Sequence, residues 1–571
     1  AARAAEAALG CDAIDPAARL EDLGMDSLAG AEFARDLAER LGREVSPTLL
    51  IDAETLDAVV AALEADAPAD DGDAPDDSDA PDDGTSLNGA APAPAALTWA
   101  ARIAPTPSAC APSSPDQELL LWMLRRRDAR GPGRFGGYAW LPPTAVGELE
   151  GPLDVAALRW ALDCVVDAHE ALRCRLVEVP GANRSLAVFG ADARPFLQEA
   201  SAPDAAAAFA CVQAFHDEDE NDPFEARSLL RCLLVAVSPS KHVLYLAANH
   251  AISDGWSQQL LYAELVAAYN ARVAGAEEAP FPPEEVPYSA YLNWQAALRT
   301  TGGWDDGAAV SQRSRYADSA RLPDWPRLRG DDALFETGAL LRSAAARVVA
   351  PEALAGVRAR LRGCGRASLP SAVLAAYAHA LGRLPRNVAS VVQYSHPGRA
   401  GHGELKRTYG QLATDMNVVL EPCADATVGG RVAHVHAAVL EALSLARVPY
   451  ALAYEASQNG PADERPLPAQ YNWYDRYGDV PDWTGLAATE RGVDSTSMAE
   501  KTHNVGAVYL MALVQGDGAL LLKCFFNAHA YARGTVEAAL DDVAGFLERL
   551  AADGPDAAVP RVRLRERCGD E

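Results

Sequence analysis

Basic residues are scarce in this chain relative to acidic ones. Its 571 residues include 50 Lys and Arg against 80 Asp and Glu, so the formal net charge is -30 at pH 7. Such an excess of negative charge repels both nucleic-acid phosphates and anionic membrane surfaces. The composition therefore argues against a nucleic-acid or membrane partner, and it favours basic partners or simply high solubility.

Membrane-spanning runs and paired cysteines are also missing. No apolar run is long enough to cross a bilayer, and no secretory signal opens the chain. The ten cysteines show no CxxC pair and no regular spacing, so neither a zinc site nor a disulfide framework is indicated. We therefore expect no bound metal and a cytoplasmic location. The abrupt Ala-Ala-Arg start suggests a piece excised from a longer polypeptide.

The chain divides by composition into a small and a large part. Residues 67–84 contain eight Asp and no Lys or Arg, and an Ala-, Pro- and Ser-rich stretch continues to about Ser114. A segment of like charges that cannot bury apolar area is expected to be extended and mobile. We therefore predict a small helical domain at 1–66, a disordered linker at 67–114 and a large domain from 115 onward.

The large part alternates between strand and helix patterns, which is typical of an α/β or α+β fold. Proline-rich residues around 280–287 suggest a boundary between two lobes of ordinary domain size, 115–280 and 281–557, followed by a tail at 558–571. The patterns predict helices at 115–127, 155–168 and 535–552, and strands at 172–178, 184–189, 243–249, 389–394, 417–420, 470–474, 507–514 and 519–526.

Ser27 lies at the start of a predicted helix in the small domain. It belongs to the run Leu23-Gly24-Met25-Asp26-Ser27-Leu28, which precedes an apolar-periodic helix. The free backbone N–H groups and the dipole of a helix N-terminus favour an anionic phosphodiester there. The alternative is that Asp26 or Ser27 only caps the helix.

The wider pattern of the small domain resembles an acyl carrier protein, through residues 20–28 and 47–56. The resemblance implies a four-helix bundle with a 4′-phosphopantetheine arm on Ser27, attached by a phosphopantetheinyl transferase. The thiol of that arm would hold an acyl group as a thioester. The Gly-Met-Asp-Ser-Leu form is more similar to polyketide synthase carriers than to peptidyl carriers.

His250 ends a predicted buried strand of the large domain. The run from His242 to Asn249 is rich in Val, Leu, Tyr and Ala, and strand side chains alternate between two faces. We therefore expect His250 to share the apolar face and Asn249 to point the other way. A turn at Asp254-Gly255 and an apolar-periodic helix follow. A histidine in this position, with a carboxylate four residues later, can act as a general base near neutral pH.

The residues from Asn249 to Ser257 resemble the HHxxxDG signature of condensation domains of nonribosomal peptide synthetases, with Asn249 in place of the first His. Three further stretches resemble the same family in the same order. They are 168–173 (AHEALR), 288–295 (YSAYLNWQ) and 398–417, which runs from Gly398-Arg399 to Met416-Asn417. Each stretch alone is weak, but their order and spacing are hard to obtain by chance.

The resemblance implies two chloramphenicol-acetyltransferase-like lobes with an active-site tunnel that two carriers enter from opposite ends. Such a tunnel aligns tethered substrates and excludes water. By this resemblance His250 takes a proton from the attacking nucleophile, or orients it. Asp254 would brace the turn through an arginine, for which Arg173 is our candidate. Gly255 would permit a tight turn and close approach of substrate, and Asn249 would be a structural substitution.

The predicted function is that of a carrier–condensation didomain of a hybrid polyketide/nonribosomal peptide synthase, which forms an amide or an ester. Upstream synthase modules would supply the acyl group, and a downstream carrier or a free acceptor would supply the nucleophile. Two alternatives stay open. One is an epimerase, although that class usually has DGVSW where this chain has DGWSQ. The other is a catalytically inactive docking domain, which the loss of the first His would allow.

Overall fold

The structure, a computed structural model, describes only part of the chain. The described residues are 55, 57–59, 102–121, 145–179, 184–217, 224, 226–303, 342–381, 390–399, 402–421, 423, 425–444, 446, 448–451, 469–474, 482–490, 508–528 and 532–560. Ser27 and the acidic segment 67–84 lie outside them. The chain separates into two compact units, residues 1–101 with 297–304 and residues 102–296 with 305–571. The site residues discussed below all belong to the second unit.

Five strands form the first sheet of the second unit, in the order β12-β2-β7-β6-β5. They are β2 (Ala145–Glu150), β5 (Leu197–Ser201), β6 (Leu230–Ser238), β7 (Lys241–Ala248) and β12 (Ala487–Glu490). β5 is parallel to β6, and the other neighbours are antiparallel. β6 and β7 are nearly continuous apolar runs because most of their residues are buried on either face.

Three helices accompany this sheet: α1 (Val155–Ala168), α2 (Ala205–Asp217) and α3 (Gly255–Val273). α2 covers one face of the sheet, where Val212 and Phe215 join Tyr245 in one apolar cluster. α1 packs against α3. α1 begins at Val155 because the Asp154 carboxylate accepts a hydrogen bond from the Ala157 N–H at 2.9 Å.

Six strands form the second sheet, in the order β10-β9-β11-β13-β14-β8. They are β8 (Arg342–Val349), β9 (Ser390–His396), β10 (Thr414–Leu420), β11 (Ala469–Tyr474), β13 (Tyr509–Val514) and β14 (Leu520–Asn527). Only β11 is parallel to its neighbours.

Further elements of the described residues include one helix between the two sheets in sequence, four helices of the C-terminal half and a small sheet. The helices are α4 (Tyr288–Thr301), α5 (Pro351–Arg360), α6 (Leu369–Ala380), α7 (Val428–Ser444) and α8 (Arg533–Asp553). α8 packs against α5, α6 and β8, and α7 packs against α6 and β10. The small antiparallel sheet has the order β1-β4-β3, with β1 (Cys110–Pro112), β3 (Cys174–Val179) and β4 (Arg184–Phe189).

The predicted α+β architecture with two lobes is confirmed for the large part of the chain, since each lobe has its own mixed sheet. The helix predicted at 155–168 and the strand predicted at 184–189 have those bounds. The sequence patterns missed β5, β6 and α2. They also missed that β12, from the C-terminal half, pairs antiparallel with β2 and so completes the first sheet. Among the helices that the structure describes, none combines the length and apolar character that a membrane crossing requires.

Candidate functional site

His250 lies in a single 3₁₀ turn, His250–Ile252, directly after β7. β7 itself ends at Ala248, and Asn249 continues the extended backbone for one residue before the turn begins. Asn249 also caps the turn, because its side-chain oxygen accepts a hydrogen bond from the Ala251 N–H at 2.9 Å. Asn249 therefore shapes the backbone that carries His250, and the expectation that the two side chains point to opposite sides stays a prediction.

Asp254 is fully buried and accepts five hydrogen bonds. Its Oδ1 accepts from the Ser257 N–H at 2.8 Å, which makes Asp254 the N-cap of α3. Its Oδ2 accepts from the N–H groups of Leu412 and Ala413, both at 3.0 Å. Arg399 donates from Nη1 to Oδ2 at 2.9 Å and from Nη2 to Oδ1 at 3.4 Å. This carboxylate therefore joins the start of α3 to two segments of the second lobe.

The charge of Asp254 is fixed by these partners. Burial acts to raise the pKa of the Asp254 carboxyl, but the Arg399 guanidinium and the backbone donors outweigh it and lower the pKa below its ordinary value. Asp254 is thus ionised at neutral pH and paired with a cation, which gives it a structural role in this loop.

The arginine predicted to pair with Asp254 was the wrong one. Arg173 donates from Nη1 to the backbone carbonyls of Val166 and Asp167, the latter at 3.0 Å, at the C-terminal end of α1. Carbonyls at a helix end lack intrahelical partners and favour a cation, so Arg173 caps α1. The sequence did contain the true partner, Arg399, within the Gly398-Arg399 stretch, but nothing in it indicated that this stretch reaches Asp254.

The second lobe is held against the His250 loop by further polar contacts. The hydroxyl of Ser257 donates to the Gly410 carbonyl at 2.9 Å and accepts from the Gly410 N–H at 3.0 Å. The hydroxyl of Tyr409 donates to the Ser253 hydroxyl at 2.9 Å. All of these groups are buried. The backbone after His250 is therefore bonded to the segment that leads into β10.

Gly255 is required by close packing. A Cβ atom at this position would lie 3.0 Å from Cε1 of the Tyr474 ring, which is tighter than ordinary van der Waals contact. Gly255 is not among the residues with positive φ, so a left-handed turn does not explain it. The group that approaches the Gly255 backbone among the described residues is the Tyr474 ring, and the close approach of substrate stays a prediction.

Unlike Asp254, His250 has a side-chain polar atom that makes no hydrogen bond to the described residues. Its Nδ1 is buried and has no hydrogen-bond partner among the residues that the structure describes. Burial lowers the pKa of the His250 imidazole. The polar backbone groups of His250 itself and of Ser253, together with the carboxylates of Asp254 and Asp415, oppose that effect only in part. The imidazole is therefore neutral at pH 7, the state that a general base needs.

Two partly buried carboxyl groups, those of Asp415 and Asp116, were not predicted. Asp415 lies on β10 opposite Ser395, whose hydroxyl donates to its Oδ1 at 2.5 Å, and Gln393 donates to its Oδ2 at 2.7 Å. Burial raises the pKa of Asp415. Asp116 accepts from the Ala451 N–H at 2.8 Å, and burial raises the pKa of its carboxyl to about 6, with a contribution from Asp415.

His169 forms a separate buried ionic cluster. Its Nε2 lies 2.7 Å from Oε2 of Glu264, and its Nδ1 lies 3.4 Å from Oε2 of Glu284. Burial acts to lower the pKa of His169, but the two carboxylates outweigh it and raise the pKa to about 9. Glu284 also accepts from the Tyr409 N–H at 3.1 Å. His169 is therefore charged at neutral pH and acts structurally.

The large domain thus has two lobes, and the loop that carries the neutral His250 is hydrogen-bonded through Asp254 to residues of the second lobe. The family profile of the condensation domain matches residues 136–564, and that of the phosphopantetheine attachment site matches residues 2–63. The chain therefore belongs to the condensation-domain family of nonribosomal peptide synthetases and combines a carrier domain with a condensation domain. The carrier domain bears covalently attached 4′-phosphopantetheine.

The chain is similar in sequence to short parts of several synthetases. CymA, a probable nonribosomal peptide synthetase of Salinispora arenicola, is 32% identical over 337 residues, which are 56% of this chain and 4% of CymA. The phosphinothricin tripeptide synthetase PhsC of Streptomyces viridochromogenes is 31% identical over 212 residues, which are 35% of this chain and 18% of that protein. The chain thus spans a small fraction of the length of these relatives.

Solved structures resemble the fold of the large domain. The X-domain from teicoplanin biosynthesis has a TM-score of 0.61 at 21% identity and covers 80% of this chain and 98% of that chain. The first condensation domain of the CDA synthetase has a TM-score of 0.59 at 20% identity. The match covers 80% of this chain and 99% of that chain. At these identities the likeness shows the fold alone.

Proposed function

We propose that this chain condenses a phosphopantetheine-tethered acyl thioester with an amine or an alcohol, forming an amide or an ester, with His250 as the group that receives or orients the proton of the nucleophile. The observation that carries the proposal is the contrast within one loop. Asp254 has all its oxygens bonded, whereas His250 is neutral and keeps an unbonded buried ring nitrogen among the described residues.

The proposed reaction balances without a further reactant. The nucleophile attacks the thioester carbonyl carbon, and its proton passes to the imidazole of His250. Collapse of the tetrahedral intermediate breaks the C–S bond, and the departing thiolate of the donor arm recovers a proton. General-base catalysis of this kind typically contributes about 10²–10⁴-fold.

The carrier and its surroundings belong to the same proposal. Ser27 bears the arm, in a four-helix bundle at 1–66, and a linker at 67–114 separates it from lobes at 115–280 and 281–557 and a tail at 558–571. Upstream modules, of hybrid polyketide and nonribosomal peptide type, would load the donor. A downstream carrier or a free acceptor would bring the nucleophile, and the reaction would take place in the cytoplasm.

One alternative has a specific observation in its favour. Asn249 replaces the first His of the signature and caps the 3₁₀ turn, so the domain would be a docking module if the missing ring were essential. In our proposal Asn249 keeps the turn in shape and the chemistry depends on His250. An epimerase is the remaining alternative, and it would exchange the α-hydrogen of a carrier-bound aminoacyl group with solvent.

Intact mass spectrometry of the acyl-loaded holo-protein, incubated with candidate amines and alcohols, tests the reaction. We expect acyl transfer to one nucleophile class in the wild type and its loss in His250→Ala. Release of no product with any acceptor supports the docking alternative, and solvent deuterium gained by an aminoacyl group supports the epimerase.

The carrier site has its own test. A phosphopantetheinyl transferase with coenzyme A should add the mass of one arm to the wild type and none to Ser27→Ala. The same mass gain in both proteins would show that another residue carries the arm.

A further inference from the structure

Ala251 follows His250 in the 3₁₀ turn, and both of its backbone polar groups are bonded to amide side chains. Its N–H donates to Oδ1 of Asn249 at 2.9 Å. Its carbonyl accepts a hydrogen bond at 2.5 Å from Nε2 of Gln117, a fully buried residue 134 positions earlier in the chain. The turn that carries His250 is therefore held by two side chains, and one of them comes from outside the loop.

Gln117 is fixed by the start of its own helix, of which residues 115–121 are described. The N–H of Gln117 donates to the Ser114 hydroxyl at 3.1 Å, and the N–H of Ser114 donates to Oε1 of Gln117 at 3.2 Å. This reciprocal pair is a capping box, which satisfies two backbone donors at a helix start. The oxygen of the Gln117 side chain thus bonds to the helix start, while its nitrogen bonds to Ala251.

The residue beside Gln117 ties the same helix to the second lobe. The carboxylate of Asp116 accepts a hydrogen bond from the Ala451 N–H at 2.8 Å. Ala451 lies in the chain between α7 and β11 of the second lobe. Adjacent residues of one helix therefore contact the second lobe and the turn that carries His250.

We propose that Gln117 is a positioning residue for the reaction, and that its bond to the Ala251 carbonyl holds the 3₁₀ turn in the shape that presents His250 to the nucleophile. The inference rests on the proposed function, because the place of the imidazole matters only if His250 receives or orients the proton. Gln117 is bonded to the backbone of the turn, so it acts through His250 and not on the substrate.

The expected effect is on the rate and not on substrate binding. Ala251 is buried, and a buried carbonyl that loses its donor is costly, so the turn should shift when the Gln117 amide is removed. A small displacement of a reacting group lowers the rate steeply, because catalysis depends on its alignment with the substrate. We expect kcat to fall roughly tenfold with KM little changed.

Gln117→Glu is the sharpest variant, because it keeps the length of the side chain and an oxygen for the Ser114 N–H but removes the amide donor. Gln117→Met has no donor in any protonation state, so it covers the case in which the new carboxyl is protonated. It also replaces Gln117→Glu in every measurement below if that variant does not fold.

Ser114→Ala is the matched control, because it removes the hydroxyl of the cap and leaves the Gln117 amide in place. It should lower the thermal melting temperature while kcat stays near that of the wild type. A loss of kcat as large as in Gln117→Glu would show that the helix start, and not the bond to Ala251, sets the rate, and it would overturn the proposal.

Single-turnover rates of the loaded holo-protein show whether Gln117 acts through His250. Gln117→Glu should cost roughly tenfold in the wild-type background. In the His250→Ala background it should cost almost nothing, because the group that it positions is already absent. Equal losses in both backgrounds overturn the proposal, since Gln117 would then act on the fold or on another group.

The contact itself has a readout that does not depend on activity. The sequence Ala-Ile occurs at 13–14 and 251–252 only, so labelling with ¹³C′-alanine and ¹⁵N-isoleucine isolates these two carbonyls by NMR, and Ile252→Val identifies that of Ala251. A carbonyl ¹³C signal moves upfield when its hydrogen bond is lost. We expect this shift in Gln117→Glu and Gln117→Met, and an unchanged signal in both overturns the proposal.

Failure of the proposed function has a different signature. If His250→Ala retains acyl transfer, the proposed function is wrong and Gln117 has no base to position. If His250→Ala loses its rate but Gln117→Glu and Gln117→Met keep the wild-type kcat, the proposed function stands and the present inference is wrong.

Discussion

His250 and Asp254 lie four residues apart in one loop, yet their side chains differ in burial, charge and hydrogen bonding. Asp254 is fully buried, ionised and bonded to donors from both lobes. His250 is half-buried and neutral, and its buried Nδ1 has no partner among the described residues. A group whose bonds are complete contributes structure, whereas a group with a free position can exchange a proton. The short signature thus combines a structural residue with a candidate base.

We expect the largest loss of stability when the charge of Asp254 is removed. Asp254→Asn should lower the free energy of unfolding by roughly 3–5 kcal/mol, because it leaves the buried Arg399 guanidinium uncompensated. Activity should fall with it. Denaturant unfolding of Asp254→Asn and Arg399→Ala, singly and together, measures the coupling between the two. If activity vanishes while the unfolding curve stays that of the wild type, Asp254 belongs to the chemistry instead.

Replacing His250 should instead lower the reaction rate strongly and leave the stability nearly unchanged. His250→Ala should lower kcat by about 10²-fold or more, because the nucleophile loses its base. The thermal melting temperature should change little, because the Nδ1 atom of His250 makes no bond to the described residues that the substitution could break. Single-turnover kinetics of the loaded holo-protein give the rate. A large loss of stability with only a slight loss of rate would reverse the roles assigned to the two residues.

The His169 cluster adds a second comparison, between two histidines, because His169 is charged at neutral pH whereas His250 is neutral. A pKa raised to about 9 in the folded protein gives a stabilisation that is fully present below the unfolded value of about 6.5. It is lost as the pH rises through 9, and it amounts to roughly 3 kcal/mol. Unfolding free energies measured from pH 6 to 10 should fall accordingly. His169→Gln is the control, and it should lack this part of the pH dependence.

The smallest effect is expected at Asn249. Asn249→Ala should cost about 1 kcal/mol of stability through loss of the cap, with a modest change in rate. Asn249→Ser, which can still accept the Ala251 N–H, is the matched variant and should retain most of the stability. Parallel melts and rate measurements compare the two. A loss of rate as large as that of His250→Ala would place Asn249 in the reaction itself.

The sequence predicted local features better than contacts between distant segments. The bounds of α1 and β4 follow from periodicity and a capping residue, and the start of α3 follows from Asp254-Gly255. The partner of Asp254 could not be predicted in this way, because Arg399 is 145 positions away along the chain. Only the packing of the lobes brings Arg399 near. The cap that Asn249 provides was not predicted, because it depends on the 3₁₀ turn that begins at His250. Asp415 was missed because a polar residue in a strand has no periodic signal.

β12 has a consequence for recombination of such synthetases. A strand from the C-terminal half completes the first sheet through four paired positions with β2. Trp483, just before it, packs its ring 5.0 Å from that of Tyr269 on α3. An exchange of lobes between two homologous enzymes at residue 280 would therefore pair a foreign edge strand with a native neighbour. Chimaeras that transfer both lobes as a single block avoid this mismatch and should refold more readily.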